Sequence, residues 1–182
     1  NKKKNQILFV GSDGNRDFEF LYKLVSEMQG TEFVILSDQV DSTKLNFSNC
    51  KIIKGSFANQ GISDIDLRLL YSESWITILP LKNSIQPSGQ SVTLQSIACG
   101  TPVLITKTQG FWDTDNFKDK EHIYFIENNN LKLWIKKIES LPNFKDQNYK
   151  KIQNSSKLLI ENNYDLDIFH RNFHSNLEND KI

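Results

Sequence analysis

The sequence has little of several things that mark particular classes of protein. Its 182 residues include two cysteines, Cys50 and Cys99, without a Cys-x-x-Cys spacing. This predicts neither a disulfide framework nor a thiolate metal site, and it fits a reducing compartment. The 22 basic and 22 acidic residues leave no net charge, so composition gives no electrostatic reason to expect a nucleic-acid partner. No apolar run approaches the roughly 20 residues that cross a bilayer, and the first residues have no signal-peptide pattern.

What is present is the composition of a folded domain. Hydrophobic residues make up 38% of the chain and aromatic residues 11%, enough for one core. The chain begins with Asn1 and reaches an apolar run within a few residues, which favours a piece cut from a longer protein. We expect a cytoplasmic location. Lysines at 132, 136, 137, 150 and 151 form a basic side, read as a solvated face or, alternatively, as a contact with the inner face of a membrane.

Short apolar runs alternate with helical patterns over most of the chain. Six runs are typical of buried strands: residues 7–11, 33–36, 51–54, 75–79, 103–106 and 123–126. Helices are predicted from Phe18 to Met28 with Gly30 closing it, from a cap at Asp64, and over 90–98 with Gly100 at its end. Two more helices follow Leu131. Strands alternating with helices predict an α/β fold, a doubly wound parallel sheet with C-terminal helices.

The loop after the first predicted strand combines small residues with an arginine. Residues 11–16 read Gly-Ser-Asp-Gly-Asn-Arg and precede a helix, whose backbone N–H groups and dipole favour a phosphate. Arg16 can add bidentate pairing to a diphosphate. The glycine spacing fits neither Gly-x-Gly-x-x-Gly nor a Walker A loop, so nicotinamide and P-loop interpretations lose their support. The alternative is an ordinary turn in which Arg16 pairs with Asp13 or Glu19 at the surface.

A second loop, residues 86–103, carries a stronger pattern. A turn with Gly89 opens a helix whose first turn is small and polar, and Gly-Thr-Pro at 100–102 leads into the next apolar run. Small residues let an anion approach the backbone amides, and the polar groups of Ser88, Gln90 and Ser91 can bind sugar or phosphate oxygens. The alternative is a capped core helix with no ligand. Because both loops follow parallel strands, they are predicted to meet at one edge of the sheet.

Residues 86–103 resemble the donor-binding signature of GT-B retaining glycosyltransferases of the glycosyltransferase-4 type. That signature is Glu-x7-Glu followed by Ala-Met-Ala-Cys-Gly-x-Pro-Val, and here Ala-Cys-Gly-Thr-Pro-Val stands at 98–103. Residues 7–11, Arg16 with Asp17, and the segments 51–55, 66–71 and 75–80 are also similar to that family. The resemblance implies a Rossmann-like, donor-binding C-terminal domain over residues 1–162. Residues 163–182 would be a tail that crosses back to an acceptor-binding N-terminal domain outside this chain.

The resemblance also implies roles for individual residues. Arg16 would be the catalytic group that stabilises the leaving diphosphate, helped by the amides of Gly11 and Ser12. Gln95 would hold the ribose of the nucleotide. The other residues implied in donor binding are Gly55, Gln86, Ser88, Gly89, Gln90, Ser91 and Val92.

The match departs from the family at three positions. Gln95 stands where the second family glutamate is expected, Pro87 where the first is expected, and Ser12 replaces a basic residue. Gln95 still donates and accepts hydrogen bonds but has no charge. A catalytically inactive nucleotide-sugar-binding module or regulatory subunit of the same fold is therefore the alternative. A third possibility, an unrelated nucleotide-binding α/β domain, would not carry both loops in this order.

The sequence predicts no metal and no cofactor. The Asp-x-Asp spacing at 64–66 is interpreted as a helix cap, and His170 with His174 lacks a third ligand. The family implies a nucleotide diphosphate sugar, UDP- or GDP-linked, as donor, and a glycan or glycoconjugate as acceptor, in polysaccharide or glycoconjugate assembly.

Overall fold

Six parallel strands form one sheet in the computed structural model, which describes residues 3–45, 47–55, 61–165 and 167–168. The strands are β1 (Gln6–Val10), β2 (Glu32–Leu36), β3 (Cys50–Ile53), β4 (Ile76–Leu79), β5 (Val103–Thr106) and β6 (Tyr124–Ile126). Their order is β3-β2-β1-β4-β5-β6, and every pairing is parallel. The predicted doubly wound α/β sheet is confirmed.

In the described part of the chain, five α-helices cover the two faces of the sheet. They are α1 (Phe18–Glu27), α2 (Asp64–Glu73), α3 (Gln90–Ala98), α4 (Leu131–Ser140) and α5 (Gln147–Asn163). Helices α1 and α4 contact each other on one face, while α2 and α5 both contact α3 on the other. The sheet has one hydrophobic core on each face, and alternate residues of β1 belong to different cores. Ile7 lies in the core that contains Trp134 of α4, and Leu8 lies in the core that contains Tyr71 and Val92.

Several predicted element ends are corrected by the structure. Helix α2 is capped by Ser63 rather than Asp64, because the Ser63 Oγ accepts a hydrogen bond from the Asp66 N–H at 3.1 Å. Helix α1 ends at Glu27, so Gly30 lies beyond the helix and does not close it. The prediction for α3 is confirmed at both ends. At its C-terminal end, Gly100 follows the last turn with a φ of +76°.

Tyr164, at the end of α5, is anchored to the sheet domain. Helix α5 extends to Asn163, one residue past the predicted boundary at 162. The Tyr164 ring then packs on Phe117, and its hydroxyl donates to the Asp113 carboxylate. Most of the predicted crossing tail, 163–182, lies outside the described residues: residue 166 and residues 169–182, with His170 and His174. Within the described part of the chain, no helix has the length and apolarity that a bilayer crossing requires.

Candidate functional site

An open cleft of about 570 Å³ lies at the carboxyl edge of the sheet. The strand order reverses between β1 and β4, and a doubly wound sheet binds ligands in the crevice at this switch point. The cleft lies between the loop after β1 and the loop that leads from β4 into α3. Its lining residues are Gly11, Ser12, Asp13, Asn15, Arg16, Asp38, Gln39, Gln86, Pro87, Ser88, Gly89, Gln90, Ser91 and Val92.

Main-chain hydrogen bonds join the two loops beneath the cleft. The Asp17 N–H donates to the Pro80 carbonyl at 2.9 Å, and the Lys82 N–H donates to the Asn15 carbonyl at 2.8 Å. Arg16 and Leu81 form an antiparallel bridge between these bonds. The two loops therefore act as one structural unit, although 65 residues separate Arg16 from Leu81.

Arg16 lies across the floor of this unit and is only 2% exposed. Its Nη1 donates to the Ser88 Oγ at 2.7 Å and lies 3.3 Å from the Asp13 carboxylate. A Cβ at Gly11 would stand 2.2 Å from the Arg16 Nε, so only a glycine leaves room for the guanidinium. Burial lowers the pKa of Arg16, and the Asp13 carboxylate opposes that shift, but an arginine stays charged.

The structure combines the two interpretations of Arg16 that the sequence left open. Arg16 pairs with Asp13, as the ordinary-turn alternative expects, yet the guanidinium is buried in the cleft rather than placed at the surface. Arg16 also contacts Ser88 in the second loop. The surface part of the alternative is therefore wrong, and Arg16 holds the two loops together.

The N-terminus of α3 faces the cleft without a side-chain cap. Gly89 is the N-cap residue with a φ of +80° and makes no capping hydrogen bond, whereas side chains cap α1, α2, α4 and α5. The first N–H groups of a helix have no partner inside the helix. Gln90, Ser91 and Val92 line the cleft at this end, which makes their amides available to an anion.

Nine of the predicted donor-site residues line this one cleft. They are Gly11, Ser12, Arg16, Gln86, Ser88, Gly89, Gln90, Ser91 and Val92. Ser12 has a structural role as well, because its Oγ accepts from the Asp38 N–H at 3.2 Å. This bond attaches the loop after β2 to the wall of the cleft.

Gln95 does not line the same cleft. It lies on α3 one turn beyond Ser91 and faces a second cleft of about 530 Å³ between α2 and α3. The Tyr71 hydroxyl donates to the Gln95 Oε1 at 3.3 Å. Burial raises the pKa of Tyr71, while the Arg16 guanidinium opposes the shift. Tyr71 therefore interacts with both the Gln95 and the Arg16 sides of the site.

Gly55 also lies apart from the cleft. It is buried two residues after β3, where a Cβ would approach the Gly61 Cα at 3.2 Å. The residues between these two glycines, 56–60, are outside the described part of the chain. Gly55 thus permits a close backbone crossing, and its predicted contact with a donor has no support from the described residues.

Sequence reasoning missed Asp38 and Gln39. Both follow β2 and line the cleft. The loop after β2 was not among the two loops, 11–16 and 86–103, that the sequence predicted at this edge, yet the signal was available, because β2 ends beside β1. Among the described residues, no three histidine, cysteine, aspartate or glutamate side chains are placed to hold a metal ion.

A sequence model described as glycosyl transferases group 1 matches residues 1–162. The chain belongs to this family. No curated protein sequence matches this group 1 chain.

Solved structures share the fold of the group 1 domain at low sequence identity. HepE from Anabaena, solved with UDP-glucose, has a TM-score of 0.73 at 9% identity, covering 97% of this chain and 49% of its own. A glycosyltransferase from Rickettsia africae has a TM-score of 0.70 at 18% identity, with coverages of 98% and 47%. The C-terminal domain of a group 1 protein, LpcC, from Francisella tularensis has a TM-score of 0.64 at 14% identity, with coverages of 91% and 89%.

These coverages agree with the predicted place of the domain. The chain spans about half the length of the HepE and Rickettsia proteins but most of the isolated C-terminal domain. The fold is thus that of the C-terminal half of a GT-B glycosyltransferase, as the resemblance implied.

Proposed function

We propose that this group 1 domain binds the donor of a hexosyltransferase that moves a sugar from a nucleotide diphosphate sugar to a glycan or glycoconjugate acceptor. The reaction would retain the anomeric configuration, as the family resemblance implies. One observation carries the proposal: the buried Arg16 guanidinium and the uncapped start of α3 meet in one cleft at the switch point of the sheet. Both features suit a diphosphate.

The chemistry that this cleft would supply is stabilisation of the leaving diphosphate. Negative charge develops on the leaving group as the glycosidic bond breaks, and preorganised donors lower the barrier to that step. Arg16 would provide a fixed positive charge, and the amides of Ser91 and Val92 would provide hydrogen bonds without reorganisation. Gln86 and Gln90 line the mouth of the cleft, where they would hold the sugar.

The second cleft suits the nucleoside part of the donor. Gln95 and Tyr71 line it beside Arg68 and Leu67, which offers an amide for ribose hydroxyls and apolar surface for a base. Ser91 and Gln95 lie four residues apart on α3, so they share one face of the helix. A donor could therefore extend along α3, with its diphosphate at the first turn and its ribose one turn further.

The acceptor and its general base would come from the other domain of the whole protein. Productive geometry in a two-domain enzyme depends on closing the cleft around both substrates. We expect this chain alone to bind donor nucleotide without transferring sugar. Restoring the N-terminal domain should restore transfer, and robust turnover by residues 1–182 alone would refute this division of labour.

A second candidate function is a binding module without turnover. It is favoured by Pro87 and Gln95, which stand where the family has glutamates. The variant Gln95→Glu tests it, because the carboxylate keeps the acceptor for the Tyr71 hydroxyl and adds the missing charge. A gain of transfer in the two-domain protein carrying Gln95→Glu and Pro87→Glu, with none in the parent, would favour the inactive module.

Donor binding is tested by titrating the chain with UDP, GDP and inorganic pyrophosphate, followed by calorimetry and backbone NMR. We expect either nucleotide to shift the amides of residues 11–16 and 88–92. Gln95→Ala should weaken the binding of the nucleotide but not of pyrophosphate, because only the nucleotide carries a ribose. Shifts confined to α4 and α5, or no binding of any of the three, would refute the site.

We also propose a cytoplasmic location with peripheral contact at the inner face of a membrane. Exposed lysines on α4 and α5, such as Lys132, Lys136, Lys150 and Lys151, support it, because anionic lipid attracts such clusters. Sedimentation with vesicles containing anionic lipid, compared with neutral vesicles, tests the contact. Equal partitioning into both kinds of vesicle would refute it.

A further inference from the structure

The charges that line the cleft are unfavourable for a diphosphate. Asp13 and Asp38 contribute two carboxylates, and Arg16 contributes the one cation among the lining residues described above. A nucleoside diphosphate brings at least two further negative charges. Like charges repel one another, so these two carboxylates oppose the ligand that the shape and donors of the cleft suit.

Of the two carboxylates, that of Asp13 contacts groups that could bind an anion. Its Oδ1 accepts from the Asn15 N–H at 3.0 Å and from the Ser88 hydroxyl at 3.1 Å. Its Oδ2 lies 3.3 Å from the Arg16 Nη1. A backbone amide, a hydroxyl and a guanidinium around one oxyanion are the donors that a phosphate would use.

The Asp13 carboxylate is placed so that it can leave this position. Its side chain is 48% exposed, whereas that of Arg16 is 3% exposed. It belongs to a surface turn, and rotation about its own side-chain bonds would carry the carboxylate into solvent without moving the backbone. Arg16 would remain, held by Ser88 and by the packing of Gly11.

We propose that Asp13 is a built-in competitor that occupies the anion site of the empty cleft and is displaced by the diphosphate of the donor. This inference rests on the proposed function, since it specifies how that site is regulated. When the cleft is empty, Asp13 neutralises a buried guanidinium that would otherwise lack a counter-charge. When the donor binds, its phosphate accepts hydrogen bonds from Arg16 and Ser88 in place of the Asp13 carboxylate, which moves into solvent.

The test is Asp13→Asn, with affinity for UDP measured by calorimetry beside the parent chain. Asparagine keeps the oxygen that caps the turn at Asn15 but loses the charge, so the fold should be retained, and a thermal melt checks this. We expect the variant to bind UDP more tightly by up to about fivefold at low salt, with a smaller gain at high salt, because a half-exposed charge pair is lost from the competing state.

Asp38→Asn is the matched control, because it removes the same charge from the same cleft at a different point. A gain confined to Asp13→Asn supports displacement. An equal gain in both variants would show that only the total charge of the cleft matters and would overturn the inference.

The remaining outcomes separate this inference from the proposed function. If the parent chain binds UDP and Asp13→Asn binds it no better, the competitor is refuted and donor binding stands. If Asp13→Asn binds UDP and the parent does not, both ideas are supported. If neither chain binds UDP, GDP or pyrophosphate, both are refuted.

Discussion

Arg16→Ala should weaken both ligand binding and the fold. The effect on the fold is expected because Arg16 is only 2% exposed. The variant loses a charged hydrogen bond to the Ser88 Oγ at 2.7 Å, a class of bond that contributes about 1.5–3 kcal/mol. The ion pair with Asp13 adds less than about 1 kcal/mol, because that carboxylate is half exposed.

These contributions together predict a loss of about 2–4 kcal/mol in the free energy of unfolding. For a chain of this length each kcal/mol lowers the melting temperature by about 2–4 °C, so the shift should be near 10 °C. Affinity for UDP should fall by at least tenfold, since a hydrogen bond from a charged group is lost. Thermal and urea unfolding measure the first effect, and calorimetry measures the second.

Lys82→Ala is the matched control for Arg16→Ala. Lys82 is an exposed cation that donates to the Gly14 carbonyl of the same loop at 3.0 Å. Its loss should change stability by less than about 0.5 kcal/mol. An Arg16→Ala chain that melts with the parent would refute the buried bridge between the loops, and one that binds UDP with parental affinity would refute the role of Arg16 in the site.

Three further predictions follow from the same structure. Gly89→Ala should lower the free energy of unfolding by about 1–2 kcal/mol, because the alanine must adopt a φ of +80°. Gly14→Ala is its control, because a Cβ at Gly14 has open space. Equal urea midpoints for the two variants would contradict the prediction. Tyr149→Phe should lower the free energy of unfolding in urea by about 1–3 kcal/mol, because the Trp75 carbonyl loses the hydroxyl that donates to it at 2.7 Å. An unchanged urea midpoint would show that this carbonyl finds another donor. Burial raises the pKa of Tyr124 to about 12, so this tyrosine ionises at a lower pH in the unfolded chain than in the folded one. The free energy of unfolding should therefore fall as the pH rises from about 10 toward 12. Absorbance at 295 nm together with urea midpoints checks this, and a midpoint that stays constant over that range would refute it.

The parts of the fold that could be predicted are those specified by local pattern. Helix α3 was bounded correctly because Gly89 and Gly100 mark its two ends in the sequence. The start of α2 was wrong by one residue, since Ser63 and Asp64 are both good caps and only the hydrogen bond to the Asp66 N–H distinguishes them. The cleft was predicted from topology alone, because parallel strands bring their carboxyl ends to one edge.

The features that could not be predicted depend on contacts between distant residues. The burial of Arg16 requires Ser88, which is 72 residues away, and the space left by Gly11. The separation of Gln95 from the Arg16 cleft follows from the position of Tyr71 on another helix. The family motif assigns Arg16 and Gln95 to one donor site. It does not show that other side chains, such as that of Tyr71, lie between the two.

The main-chain pairing of residues 15–17 with 80–82 has a consequence for the thermodynamics of recognition. These bonds join the loops that follow the neighbouring strands β1 and β4, beyond the carboxyl ends of the ladder that the two strands share. A ligand that binds there meets walls that are already ordered, so little conformational entropy is lost on association. Under the proposed function, the diphosphate would therefore bind between these two loops without a prior rearrangement of their main chain.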